Sequence, residues 1–221
     1  RDRFRLINVR HEAAAAHMAE AHGKLSGRPG ICFVTRGPGA THAAVGVHTA
    51  MQDSTPMILF IGQVGREALG REAFQEIDYR AMFGGVAKWV AQIERADRIP
   101  ELVSRAFHVA TSGRPGPVVL SLPEDVLTEM VAVADARPYQ PAAAEVVPGA
   151  IDALSDLLKQ AERPIFVVGG SGWTDAASAQ FAATAERLGV PVACSFRRQD
   201  AIDNGSPVYC GDIGTSGPPT L

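Results

Sequence analysis

Short apolar runs recur along this chain, and each is followed by a longer segment with helical periodicity. Residues 56–61 are apolar without alternation, which is typical of a strand covered on both faces. Residues 99–111 instead place apolar side chains three and four positions apart, with Pro100 near the first turn, as an amphipathic helix does. This alternation predicts an α/β fold with a doubly wound parallel sheet.

The predicted elements form two sets separated by a proline-rich break. Residues 134–148 hold three prolines and three consecutive alanines, which favours an extended linker. We therefore predict a first α/β domain over 1–133, a linker over 134–147, and part of a second, Rossmann-like α/β domain over 148–221. The predicted strands are residues 5–9, 30–35, 56–61, 88–93, 117–122, 164–169 and 191–195, and the predicted helices are residues 11–25, 39–52, 99–111, 151–161 and 175–188.

Composition excludes several classes of protein. A net charge of -3 over 221 residues gives no reason to expect a nucleic-acid partner, and no apolar run is long enough to span a membrane. The three cysteines lack a C-x-x-C spacing, so we expect free thiols in a reducing, cytoplasmic compartment. The histidines show no metal-ligand spacing, and no metal site is predicted. Since the chain starts without Met and ends abruptly, we expect it to be a piece of a longer protein.

Two motifs stand where predicted strands meet predicted helices. Glu12 follows the first apolar run and begins an alanine-rich segment, and Gly37-Pro38-Gly39 precedes the next helix. Taken alone, Glu12 is a first-turn carboxylate favoured by the helix dipole, and the glycine motif is an ordinary turn. It is not the G-x-G-x-x-G of dinucleotide-binding proteins. Four further segments follow in order: D-S-x-P at 53–56, G-Q-V at 62–64, A-F-Q-E at 73–76, and T-S-G-R-P-G-P-V at 111–118.

In this order the motifs resemble the pyrimidine-binding domain of thiamine-diphosphate (ThDP) enzymes of the acetolactate synthase and pyruvate oxidase family. The resemblance implies a pyrimidine-binding domain and part of the central domain. It also implies that the diphosphate-binding domain, with the Mg²⁺ ligands, lies outside this chain. The Gly-Asp pair at 211–212 is not that metal motif, because no Asn follows at the family's spacing. The implied function is decarboxylation of a 2-keto acid followed by carboligation, with A-F-Q-E favouring the acetolactate synthase type.

The resemblance assigns roles to the residues around the cofactor. Glu12 would hydrogen-bond N1' of the pyrimidine and favour the tautomer that removes the C2 proton of thiamine. Since Glu12 must be protonated in part of the cycle, we expect an apolar surround that raises its pKa. Gly37-Pro38-Gly39 would pack on the pyrimidine ring, and Gln75 would reach cofactor and substrate as a second catalytic residue. His42 stands where the family usually has Asn, so a cofactor contact from this position is left open.

Three residues are assigned to the substrate or to a flavin. Phe74 would line the substrate channel, Lys88 would meet the anionic keto acid, and Arg114 would touch FAD in members that contain it. The residues alone allow other interpretations. Phe74 can be a loop anchor, Lys88 an exposed residue beside a strand, and Arg114 occurs also in members without FAD, so the FAD content is left open.

The reaction and the assembly each keep alternatives. Other ThDP chemistry remains open, namely a benzoylformate-decarboxylase-like, glyoxylate-carboligase-like, oxidase or lyase reaction, as does a non-catalytic binding module if the chain is naturally this short. In the family the cofactor lies between two subunits, which implies a homodimer or homotetramer. The small residues of the helices at 11–25 and 39–52 suit close packing across a two-fold axis. Whether a regulatory subunit exists is not specified by these residues.

Overall fold

The chain divides into two compact α/β units, which cover Arg1–Ala142 and Ala143–Leu221. The computed structural model describes residues 5–142 and 144–214, so the outer ends of both predicted domains lie outside the described residues. Each unit has its own parallel sheet, which confirms the predicted α/β class. Residues 129–142 and 144–147 contain neither helix nor strand.

The first unit is built on a four-stranded parallel sheet with the strand order β1-β2-β4-β3. Because its strands are parallel, their carboxyl ends meet at one edge of the sheet, where α/β proteins place their ligands. Its elements are α1 (Glu12–Ser26), β1 (Gly30–Val34), α2 (Pro38–Asp53), β2 (Met57–Gln63), α3 (Tyr79–Phe83), β3 (Trp89–Gln92), α4 (Ile99–Thr111) and β4 (Pro117–Pro123).

The second unit has a smaller, three-stranded parallel sheet with the order β5-β6-β7. Its last strand was not predicted from the sequence, and it contains the Gly-Asp pair at 211–212. The elements of this unit are α5 (Ala150–Gln160), β5 (Phe166–Val168), α6 (Asp175–Leu188), β6 (Val192–Ser195) and β7 (Tyr209–Ile213). None of the helices in the described parts of the chain is long and apolar enough to cross a membrane.

The strand predicted at residues 5–9 is wrong, because this segment has no regular structure. Leu6 and Ile7 are 69% and 53% exposed. A strand needs a hydrogen-bonded neighbour, and no strand among the described residues pairs with this segment. Apolar composition shows that a segment suits a sheet, but it does not show whether a neighbouring strand is present.

Strand β2 lies between two hydrophobic clusters, one on each face of the sheet. Met57, Leu59 and Ile61 pack into the cluster that contains α1 and α2. Ile58 and Phe60 point to the opposite face and pack into the cluster that contains α4. Both faces of the sheet are therefore covered by helices, as the unbroken apolar run predicted.

The contact between α1 and α2 depends on two small residues. Ala16 is fully buried, and a Cβ added at Gly46 would lie 2.5 Å from the Ala16 Cβ. The helices can approach this closely only because Gly46 has no side chain. The small residues of these helices also suit packing across a two-fold axis, which stays a prediction, but Ala16 and Gly46 themselves serve a contact inside the unit.

We predict that Gly46→Ala lowers the free energy of unfolding of the first unit by about 1–3 kcal/mol, because the added methyl group collides with Ala16. This loss would occur although alanine favours helix by about 1 kcal/mol over glycine. Urea unfolding can be followed by Trp89 fluorescence in a Trp173→Phe background. His48→Ala, an exposed position on the same helix, should change stability little. A more stable Gly46→Ala variant would contradict the packing argument.

Candidate functional site

The first part of the site is a carboxylate–imidazole pair at the start of two neighbouring helices. His11 is the N-cap of α1, and its Nδ1 accepts a hydrogen bond of 3.1 Å from the Ala13 N–H. Glu12 is the first residue of α1, and His42 lies one turn into α2. The Nδ1 of His42 lies 3.0 Å from Oε2 of Glu12. The contact between α1 and α2 thus brings a carboxylate and an imidazole into hydrogen-bond distance.

The environment of Glu12 is polar and open, which contradicts the expected apolar surround. Its pKa is lowered from the ordinary value, first by a hydrogen bond from its own backbone N–H and then by the hydrogen bond to His42. The Glu12 side chain is 36% exposed and that of His42 is 50% exposed. Water and hydrogen-bond donors both favour the carboxylate over the carboxylic acid, so the expected rise in pKa is wrong for this chain.

The second part of the site is the turn before α2. Gly37 has a φ of +52°, and its N–H donates a hydrogen bond of 2.9 Å to the Tyr79 hydroxyl. A Cβ added at Gly37 would lie 2.8 Å from the Gln75 Cβ and 2.9 Å from the Gln75 carbonyl oxygen. Glycine is therefore required here because Gln75 of the same chain lies against it. The contact of Gln75 with cofactor and substrate stays a prediction.

Gln75 is held in an unusual backbone conformation by the loop around it. Its φ of +64° is in the left-handed region, which costs a non-glycine residue about 1–3 kcal/mol. The Glu76 carboxylate closes the loop by accepting hydrogen bonds from the Gly70 and Ala73 N–H groups. These backbone donors also lower the pKa of Glu76. The strained residue, Gln75, is thus the one that contacts the glycine turn.

Gln63 fixes the same loop to the end of β2. Its side chain is buried, its Nε2 donates to the Ile77 carbonyl at 2.9 Å, and its Oε1 accepts from the Val64 N–H at 3.0 Å. The segments that contain Gln63 and Glu76 were separate motifs in the sequence, and Tyr79 was given no role. A glutamine at the end of a strand, one residue after five apolar residues, was the signal for this link, since a buried amide needs partners.

The structure leaves Phe74 uncovered. Its side chain is 78% exposed, although the residues on either side of it are partly buried. The interpretation of Phe74 as a loop anchor is therefore wrong for this chain. The exposed ring is available to another surface.

Lys88 binds the C-terminus of helix α4. Its Nζ donates to the carbonyl oxygens of Val109 and Ser112, at 2.5 and 2.7 Å, at the C-terminus of α4. Burial lowers the pKa of this ammonium group, and the helix dipole there stabilises its charge. Both interpretations of Lys88, as a substrate contact and as an exposed flanking residue, are wrong in this structure.

Arg114 has the corresponding role at α2. Its Nε donates to the Ser54 hydroxyl at 2.7 Å, and its Nη2 donates to the carbonyl oxygens of Met51 and Gln52, at 2.9 and 3.3 Å. These contacts place the guanidinium at the C-terminus of α2. They account for Arg114 without a flavin.

His11, Glu12 and His42 together form a set that could hold a metal ion, with one ligand atom from each within 4.8 Å of the others. The hydrogen bond at His11 argues against that use. Because its Nδ1 accepts the Ala13 N–H, the neutral ring carries its proton on Nε2 and has no lone pair there for a metal. A metal ion bound to either nitrogen of His11 would disrupt the N-cap, so we interpret the set as an acid–base pair supported by His11.

Two cavities of the first unit are lined by residues other than Glu12. A cavity of about 320 Å³ at the carboxyl ends of β2, β3 and β4 is lined by Gln63, Tyr79 and Ser121 among others. A second cavity, of about 480 Å³, lies beside β3 and contains Arg95 and Arg98, which pair with Asp97 and Glu101. The exposure of Glu12 and His42 shows that their side of the glycine turn is open to solvent.

Two protein families match parts of this chain. Residues 1–82 match the family "Thiamine pyrophosphate enzyme, N-terminal TPP binding domain", and residues 151–221 match "Thiamine pyrophosphate enzyme, central domain". The chain belongs to the thiamine pyrophosphate enzymes, in the group that contains the acetolactate synthases. The two matches follow each other in the order of the two units described above.

Similar curated proteins carry the name acetolactate synthase. The acetolactate synthase of Arthrospira platensis is 35% identical over 218 residues, which cover 95% of this chain and 37% of that protein. The acetolactate synthase isozyme 3 large subunit of Escherichia coli is 37% identical over 96% of this chain and 38% of its own length. The mitochondrial acetolactate synthase catalytic subunit of Saccharomyces cerevisiae is 32% identical over 98% of this chain. The chain spans a little over a third of the length of the first two of these relatives.

We predict that Tyr79→Phe destabilises the first unit by about 1–3 kcal/mol, because it leaves the Gly37 N–H without its acceptor in a buried setting. Tyr139→Phe, at a partly buried residue whose ring stacks on Phe107, is the matched control. Chemical denaturation measures both variants. Equal stability of the two would show that the Tyr79 hydroxyl does not support the turn.

We predict that the Glu12 carboxyl titrates below the ordinary range of glutamate. The folded-state pKa is lowered, so the associated stabilisation is present at neutral pH and is lost as the pH falls through that folded-state pKa. Carbon-13 NMR of the labelled carboxyl, in the folded chain and in urea, compares the two states. A folded-state pKa equal to or above the unfolded one would contradict the polar environment described here.

Proposed function

We propose that this chain is the pyrimidine-binding and central part of an acetolactate-synthase-like enzyme, which decarboxylates a 2-keto acid and joins the remaining acyl unit to a second carbonyl compound. The observation that carries this proposal is the position of Glu12. Its carboxylate lies at the start of α1. The neighbouring helix α2 begins at the Gly37-Pro38-Gly39 turn, against which Gln75 packs. The names of the similar proteins support this choice within the family.

The residues present fit the pyrimidine end of the cofactor. When bound, ThDP supplies a carbon nucleophile that adds to the keto group. Glu12 would hold N1' of the pyrimidine and exchange a proton with it, while Gly37, Pro38 and Gly39 provide a turn without bulky side chains. A buried Arg36 Nε, which has no hydrogen-bond partner among the described residues, lies next to this turn and offers a further donor. The contacts that fix Gln75 would keep its side chain beside the ring.

The remaining parts of the site are proposed to come from other surfaces. The chain covers only 37% of the length of the Arthrospira platensis acetolactate synthase. We therefore propose that the diphosphate and its Mg²⁺ are held by a domain outside these residues. The exposed Phe74 would then line the substrate channel between the two surfaces. We also infer a homodimer or homotetramer, in which the partner subunit covers the open Glu12 side. Arg114 gives no support for FAD, since its guanidinium N–H groups donate hydrogen bonds at the C-terminus of α2.

The free thiols support a proposal for the cellular compartment. Cys32 and Cys194 are buried free cysteines, and Cys210 is also free. Burial raises the pKa of the Cys32 thiol to about 11. Such thiols are unreactive and suit a reducing compartment, so we infer a cytoplasmic enzyme.

We predict that Glu12→Gln in the complete enzyme lowers kcat by about 100-fold or more, because the amide cannot take and return the proton. Folding should be unchanged, since the side chain is partly exposed and glutamine has nearly the same size and shape. Steady-state assays of acetolactate formation from pyruvate measure the rate, and circular dichroism checks the fold. Wild-type turnover of the variant would remove Glu12 from the mechanism.

We predict that the 221-residue chain alone is inactive and binds ThDP with a dissociation constant of about 1 mM or weaker. The pyrimidine contacts must offset association costs of about 4–15 kcal/mol without help from the diphosphate. Calorimetry with ThDP and Mg²⁺ measures the affinity directly. A low micromolar value would show that a diphosphate site lies within this chain.

A further inference from the structure

We propose that His42 is a positioning residue for Glu12, which holds one carboxylate oxygen and stabilises the charge that remains after Glu12 has given up its proton. This inference rests on the proposed function, because it needs Glu12 to act on the cofactor. Nothing in the similarity to the thiamine pyrophosphate enzymes assigns this role, since the family usually has Asn at this position.

The geometry of the pair is set by the fold. His42 Nδ1 lies 3.0 Å from Glu12 Oε2, and the spacing of the two helices is fixed by the contact of Gly46 with Ala16. The His42 ring also lies against the His11 ring, with 4.6 Å between centroids and an angle of 30° between the planes. His11 is in turn held by its bond to the Ala13 N–H. The imidazole of His42 is thus oriented by two independent contacts.

The direction of the hydrogen bond follows from the donors and acceptors present. An ionised carboxylate only accepts, so the short contact requires the proton of His42 to be on Nδ1. The ionisable groups that act on Glu12 are His42 from α2 and His11 from α1, and both favour its ionised form. While the Nδ1–H of His42 is hydrogen-bonded to Oε2 of Glu12, Oε1 is available to the pyrimidine.

This arrangement assists one proton transfer. When Glu12 gives the proton on Oε1 to N1', the O–H bond breaks, an N–H bond forms, and a negative charge is left on the carboxylate. The Nδ1–H of His42 is already in place to stabilise that charge, and a hydrogen bond to a charged group is stronger than one to a neutral group. An Asn amide can donate in the same way. A variant with Asn at position 42 would therefore keep the donor, whereas one with Ala would lose it.

The test is carried out on the complete enzyme with bound ThDP and Mg²⁺. The rate of hydrogen–deuterium exchange at C2 of the bound cofactor is measured by NMR between about pH 5 and pH 8 for five variants. They are His42→Ala, His42→Asn, His48→Asn, Glu12→Gln and the double variant of Glu12→Gln with His42→Ala. His48 is the matched control, because it is also an exposed histidine on α2.

We expect His42→Ala to slow exchange by about 10- to 100-fold, the loss associated with a hydrogen bond to a charged group, while the affinity for ThDP changes much less. His42→Asn should restore most of the rate, because its amide N–H can donate to Glu12 in place of the imidazole. His48→Asn should behave as the wild type. In the Glu12→Gln background His42→Ala should have no further effect, because the two residues act as one unit.

The outcomes separate this inference from the proposed function. Slow exchange in Glu12→Gln together with wild-type exchange in His42→Ala would overturn the role of His42 and leave that of Glu12. Wild-type exchange in Glu12→Gln would overturn both. Exchange in His42→Asn that is as slow as in His42→Ala would also contradict the proposal. Because His42 is half exposed, its variants should fold, and circular dichroism of His42→Asn and His42→Ala checks this.

Discussion

The close approach of α1 and α2 at Ala16 and Gly46 is the contact on which the candidate site depends. It brings the first residue of α1 beside the second turn of α2, and so places the Glu12 carboxylate against the His42 imidazole. A larger side chain at Gly46 would separate the helices, and the two groups would no longer reach each other. The geometry of the candidate site is therefore a consequence of core packing rather than of the local sequence around Glu12.

The opposite side of the site depends on buried hydrogen bonds. Tyr79 accepts from the Gly37 N–H, and Gln63 ties the end of β2 to the carbonyl of Ile77. Together with the two backbone bonds to Glu76, these contacts hold Gln75 in a conformation that it would not adopt in a free loop. A strained residue that is kept in place by several buried contacts is typical of a preorganised binding site.

The parts of the structure that follow from local pattern could be predicted from the sequence. The unbroken apolar run at 56–61 identified the central strand, and the spacing of apolar residues gave α4 with its bounds, Ile99–Thr111. The strand predicted at residues 5–9 is wrong, because apolar residues alone do not show whether a neighbouring strand is present. The strand Tyr209–Ile213 was missed because its glycine and aspartate do not favour a sheet.

The positions of charged side chains could not be predicted, because they depend on contacts between elements distant in sequence. Lys88 and Arg114 match motifs that suggest ligand binding, yet each donates to the last carbonyl groups of a helix more than 20 residues away. The pKa of Glu12 was expected to rise on the assumption of an apolar surround. In this chain the carboxylate is open to water and bonded to donors, and its burial would require a surface that these residues do not supply.

The central claim is that Glu12 and the turn at Gly37 form the pyrimidine site, and a crystal structure of the complete enzyme with ThDP and Mg²⁺ tests it most directly. The account predicts N1' of the pyrimidine within hydrogen-bond distance of Glu12 Oε1, about 2.6–3.2 Å, with His42 still bonded to Oε2 and the ring against the Gly37-Pro38-Gly39 turn. A pyrimidine ring bound elsewhere, or a Glu12 carboxylate turned away from it, would contradict the claim.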